Sequence, residues 1–151
     1  MPLNYPQQGA GDVASYQLSA VPFVTSSAAS EVSTDAISVK FPNVTRFFVV
    51  HNTSGNDMRI GFTAAGVAAE GGVSGSVPSN PAGGESSADR KNYFVLAGNG
   101  TTGRLEIRCK ELYFRRDGGS NCSFSIMAGI TPISDKQFPI LTGSSGYDGV
   151  G

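Results

Sequence analysis

Val44-Thr45-Arg46-Phe47-Phe48-Val49-Val50-His51 lays out two rows of side chains, and both rows are largely apolar. Val44, Arg46, Phe48 and Val50 fall on one face and Thr45, Phe47, Val49 and His51 on the other, the two-residue period of a strand covered on both sides and so central in its sheet. The flanking chain repeats this period. Met58, Ile60 and Phe62 alternate with Arg59, Gly61 and Thr63, and the intervening Ser54-Gly55-Asn56-Asp57 is turn chemistry that allows a hairpin. Leu105, Ile107 and Cys109 alternate with Glu106, Arg108 and Lys110, and Leu112 and Phe114 continue the row. Beyond the turn Asp117-Gly118-Gly119-Ser120, the residues Cys122, Phe124, Ile126 and Ala128 alternate with Ser123, Ser125 and Met127.

Residues 21–26, 34–41 and 93–97 bring the total to about eight short strands, at the spacing of a sandwich or barrel. No stretch of a dozen residues has helical periodicity. The expected fold is therefore all-β, a single eight-stranded jelly-roll sandwich with extended N- and C-terminal arms. An immunoglobulin-like sandwich fits less well, because the chain has no Trp and no obvious cysteine pair. Residues 1–16, polar and carrying Pro2 and Pro6, read as an N-terminal arm, and residues 17–131 as the jelly-roll domain. Within that domain, residues 64–90 are a long run of Ala, Gly and Ser expected to form a flexible loop. Residues 132–151 form a C-terminal tail whose one apolar patch, Phe138-Pro139-Ile140-Leu141, has either the chain's own sandwich or a neighbouring subunit to pack on.

Composition narrows the function classes. A chain of 151 residues with 39% hydrophobic and 15% charged residues is one folded domain rather than a charged tail. The formal net charge of -1 removes the electrostatic argument for binding nucleic acid. No apolar run approaches a membrane span, and the first residues have neither the basic nor the apolar region of a secretory signal, so the protein is expected not to be secreted. Two cysteines, Cys109 and Cys122, make neither a disulfide scaffold nor a four-cysteine zinc site, and they are expected as buried free thiols.

The chemical motifs dissolve on inspection. Gly98-Asn99-Gly100-Thr101-Thr102-Gly103 spells G-x-G-x-x-G, but it joins two apparent strands, where a dinucleotide site needs a strand followed by a helix. It reads as a β-turn. His51 is the single histidine, so no two-histidine metal site can be built, and no G-x-S-x-G elbow offers it a nucleophile. Asp35, Asp57, Asp89 and Asp117 lie beside turns, where Asp is favoured by its own side-chain hydrogen bonds. Four N-x-S/T sequons, at Asn43, Asn52, Asn99 and Asn121, are of the kind that loops rich in Asn, Ser and Thr generate by chance. The expectation is no enzyme, no cofactor and no metal. Arg104, Arg108, Lys110, Arg115 and Arg116 are interleaved with Glu106, Glu111 and Asp117 and read as a compensated, solvated face. The sharper alternative has Arg115 and Arg116 reaching acidic groups on an adjacent subunit.

Three stretches carry a family likeness: Arg46-Phe47-Phe48-Val49-Val50-His51-Asn52, Glu111-Leu112-Tyr113-Phe114-Arg115-Arg116, and Phe124-Ser125-Ile126-Met127-Ala128-Gly129-Ile130-Thr131. Together they resemble the single-jelly-roll penton (vertex) proteins of large icosahedral nucleocytoplasmic DNA viruses, chlorella-virus-like in particular, over residues 21–141. The resemblance implies a structural capsid protein, five copies of which form the penton at each five-fold vertex. It implies as partners trimers of a double-jelly-roll major capsid protein and other minor capsid proteins, with synthesis in the host cytoplasm and residence in the virion. Tyr5, Arg115, Arg116, Phe138 and Ile140 are the candidate subunit contacts.

Two rival classes share the sandwich. A decoration or minor structural protein of a virus or phage would bind a capsid as a trimer or monomer, so its stoichiometry differs. A glycan- or receptor-binding module would want clustered aromatic residues, and Tyr5, Tyr16, Tyr93, Tyr113 and Tyr147 are spread out.

Overall fold

A computed structural model describes residues 20–68 and 93–138. The chain is mostly strand: β1 Val21–Ser26, β2 Ile37–Lys40, β3 Thr45–Asn52, β4 Met58–Gly61, β5 Phe94–Leu96, β6 Glu111–Arg116 and β7 Phe124–Ile130. A five-residue helix, α1 Ala64–Ala68, follows β4, and a single 3-10 turn spans Asp135–Gln137. The strands form two antiparallel sheets, β1-β7-β3 and β2-β6-β4-β5. The all-β class follows from the two-residue periodicity.

Phe48 and Val50 of β3 and Phe124, Ile126 and Ala128 of β7 face inward from the first sheet. Met58 and Ile60 of β4, Leu96 of β5 and Leu112 and Phe114 of β6 meet them from the second, so the alternate residues of both sheets make one core. Phe114 of β6 stacks on Phe124 of β7 at 4.2 Å between ring centroids and 18° between planes, bridging the sheets. Cys109 and Cys122 are both buried and free.

Residues 101–109 run along the open side of β3. Phe48 and Leu105 exchange backbone bonds at 3.0 and 2.9 Å, Asn52 N–H donates to Gly100 O at 2.8 Å, and Thr45 N–H donates to Cys109 O at 2.9 Å. The pairing is irregular because side chains interrupt it. Thr102 Oγ1 accepts the Val50 N–H at 3.0 Å, and Thr45 Oγ1 binds both Ile107 O at 2.9 Å and the Cys109 N–H at 3.0 Å.

Several local expectations are corrected. The alternation through residues 44–51 breaks at a bulge between Thr45 and Phe47, which puts one extra residue, Arg46, opposite β7. Thr45 is consequently buried along with Phe48 and Val50, while Arg46 leaves the inner row. The hairpin expected across Ser54–Asp57 does not form, since β3 and β4 lie in different sheets. Residues 105–114 likewise change sheet near Lys110 instead of running on as one strand, and the turn 117–120 carries the chain from β6 in one sheet to β7 in the other. These turns bend the chain between layers, a choice that turn residues alone do not encode.

The segments outside the sandwich are also redrawn. Residues 64–68 of the expected loop 64–90 are helical: Thr63 Oγ1 accepts the Gly66 N–H at 2.9 Å as an N-cap, and Val67 is buried. The tail begins by packing, with Ile133 buried and Val44 N–H donating to Ile133 O at 3.0 Å. The arm 1–16, the remainder of the loop and residues 139–151 lie outside the described residues.

Candidate functional site

Arg115 is turned into the protein, against its expected place on the surface. Its Nε donates to Thr34 O at 2.6 Å, and its outward-facing position on β6 is buried. Arg116 stays half-buried and closes the following turn, donating from one guanidinium nitrogen to Gly119 O at 2.7 Å and to Asn121 Oδ1 at 3.2 Å. Phe138 is half-buried at the end of the 3-10 turn, its N–H donating to Asp135 O at 3.0 Å. Tyr5 and Ile140 lie outside the described residues. Elsewhere in the basic stretch, Arg104 pairs with Glu106 at 2.7 Å with both side chains more than half exposed, as a solvated face would have it, and stacks over the Phe47 ring at 4.2 Å.

Arg59, which alternates with Met58 and Ile60 in the row of Gly61 and Thr63, is buried and central. Its Nε donates to Asp117 Oδ1 at 2.7 Å, one of its terminal nitrogens donates to Val67 O at 3.2 Å, and its guanidinium carbon lies 4.4 Å from the centre of the Tyr93 ring. Val67 stands just before residues 69–92 and Tyr93 just after them, so one side chain fastens both ends of that segment to the sandwich. A charged residue on an otherwise apolar strand between a turn and a Gly/Ala-rich run was the available signal. It could not be read without knowing that α1 packs over β4 and β6.

A second cluster gathers at one end of the sandwich. Asn52, fully buried at the end of β3, donates from Nδ2 to Asn56 O at 2.7 Å, Ala97 O at 3.2 Å and Leu96 O at 3.3 Å. Its Oδ1 accepts from Ser54 N–H at 3.0 Å and Ser54 Oγ at 2.7 Å. The Gly98–Gly103 motif is a turn here: Gly100 N–H donates to Ala97 O at 2.9 Å and Asn99 adopts φ 58. An open hollow of about 290 Å³ beside it is lined by Gly55, Asn56, Asp57, Asp117, Gly118, Gly119 and Ser120. Both carboxylates in that hollow are engaged, Asp117 with Arg59 and Asp57 with the Gly98 N–H at 3.1 Å.

The thiols are poorly set for nucleophilic work. Burial pushes Cys109 up to about 12, with the Thr45 hydroxyl pulling weakly the other way, and burial also raises Cys122 above its ordinary value. Among the described residues, no group of three or more His, Cys, Asp or Glu side chains could hold a metal ion, and no helix is long and apolar enough to cross a membrane. No known protein family, curated protein or solved structure matches the chain.

Proposed function

We propose that the sandwich is an eight-strand jelly roll and that the protein is a structural capsid component forming the homopentameric penton at icosahedral five-fold vertices. One observation carries the reading. With residues 101–109 counted as the sixth of eight strands, the pairs are nested: first with last (β1·β7), second with seventh (β2·β6), third with sixth (β3 with 101–109) and fourth with fifth (β4·β5). Such nesting arises when one long antiparallel hairpin is rolled up, and the cross-pairs β3·β7 and β4·β6 close the roll into two sheets.

The sequence stretches that resemble vertex proteins fall on β3, β6 and β7, of which β7 lies between β1 and β3 and β6 between β2 and β4. A rigid, closed sandwich of this kind suits a five-fold ring, whose interface is heterologous and closes on itself. Trimers of the major capsid protein and other minor capsid proteins would be its neighbours in the virion.

The solution mass tests this directly. Light scattering behind a sizing column should return five times the 15.6 kDa of one chain, and antibody labelling of intact particles should mark the vertices. A trimer with label spread over the facets would assign the chain to the decoration proteins instead.

A further inference from the structure

We propose that the outer face of the β1-β7-β3 sheet is a docking surface for residues 1–19 of the same chain. In register across the three strands, Val24 stands opposite Met127 and Met127 opposite Val49. Val24 is 71% exposed and Met127 50%; in the next row Pro22 is exposed, Phe47 is half-buried under the Arg104 guanidinium, and Gly129 is covered by Phe47 and Ala20. The other sheet has its outer face partly covered by α1. Methionine between two β-branched residues is an adaptable surface for a chain to lie on.

The occupant is indicated by how the chain reaches β1. In a regular antiparallel ladder, residues on a diagonal stand about 7 Å apart. Ala20 is diagonal to Gly129, yet its Cβ lies only 2.5 Å from the point where a Cβ on Gly129 would stand, and the Phe47 ring closes the other side at 2.4 Å. The chain has therefore left the line of β1 and bent over the outer face, on the one residue of β7 that has no side chain to prevent it. Met127 is two residues along β7 from Gly129, about 7 Å away at the rise of a strand. Immediately before Ala20, Tyr16 and Leu18 alternate with Gln17 and Ser19, one apolar row at the spacing of an extended segment.

Area argues the same way. The exposed row is three strands, about 10 Å, across. Stable association of two copies takes about 800 Å² from each partner, more than such a row offers, whereas one extended segment covers it.

Met127 is itself the probe. The chain has three methionines, of which Met1 lies at the terminus and Met58 is fully buried, so peroxide oxidation of Met127 reads cover over this face and Met58 reports that the core is intact. In the full-length chain carrying Tyr16→Asp and Leu18→Asp, Met127 should become its sulfoxide about fivefold faster than in wild type, with Met58 still protected and neither rate dependent on protein concentration. Equal Met127 rates in the two proteins would overturn the proposal. So would wild-type protection that fades on dilution, since that would put a second copy on the face.

Discussion

Arg59 Nε and Asp117 Oδ1 stand 2.7 Å apart, the arginine side chain 6% exposed and the aspartate 31%. The pair ties the middle of β4 to the turn that follows β6. Removing the carboxylate takes one charged partner from a buried guanidinium, whereas removing the guanidinium leaves an aspartate that water can reach. Asp117→Ala should lower stability by about 1–3 kcal/mol, visible as a lower urea midpoint with an unchanged slope. An unchanged midpoint would mean that the pair contributes nothing to holding the two elements together.

Asn52 is fully buried and its Nδ2 faces three carbonyl oxygens. Asn52→Asp keeps the shape and replaces those donors with an acceptor. Burial and the surrounding carbonyls raise the pKa of the new carboxyl above its unfolded value of about 4, so between the two values the native state binds more protons and stability falls as pH rises. The variant should be less stable than wild type by about 3 kcal/mol or more at pH 7 and recover most of that loss near pH 3. Urea midpoints at the two pH values decide it, and a loss independent of pH would point to packing alone.

Glycines in neighbouring turns should respond oppositely to alanine. A Cβ on Gly98 would stand 2.3 Å from both the carbonyl carbon and the oxygen of Gly55 and 2.9 Å from Asn56 N, all backbone atoms that cannot swing aside. Gly98→Ala should therefore cost about 2 kcal/mol by forcing the two turns apart. Gly118 has nothing within 4 Å of its notional Cβ, and Gly118→Ala should change stability by less than about 0.5 kcal/mol. Comparable losses in the two variants by thermal melting would contradict this reading.

Cys109 makes stability sensitive to alkali. Its thiol ionises at about 12 in the folded protein against 9.0 when free, so between those values the unfolded chain gives up a proton that the native one keeps. Stability contributed by the neutral buried thiol is complete below pH 9 and is lost as pH rises towards 12. Cys109→Ala should show a shallower fall in urea midpoint over that range than wild type. The native thiol should also resist alkylation at pH 8 until the chain is unfolded.

The strands themselves were legible in the sequence and their partners were not. β1 spans the residues expected of it, and the alternation in β7 places Phe124, Ile126 and Ala128 inside as read. Periodicity reports which way side chains point along one strand, and that is a local property. Whether Ser54–Asp57 returns the chain into the same sheet or carries it across to the other depends on where Leu96 and Ala97 present carbonyls to Asn52, from more than forty positions away. The bulge at Arg46 was hidden for a related reason, since the two rows it exchanges are both apolar. Arg115 was read as exposed because it occupies the polar row of its strand, and the alternation around Arg59 does not mark it as an anchoring residue. The two arginines are neighbours across β4 and β6, and a short helix from an Ala/Gly-rich run packs on those two strands.

The nested pairing also orders events in time. Ser26 and Ser125, whose hydroxyls lie 2.9 Å apart, are separated by 99 positions along the chain, and β1 finds its only described strand partner in β7. A ribosome adding about 5–20 residues each second leaves β1 waiting several seconds for that partner. Few sequence-local contacts are available meanwhile, and chains of such high contact order close slowly. Until β7 emerges, β3 lacks the neighbour that completes its sheet, and its apolar inner row is the kind of transiently exposed surface that favours aggregation.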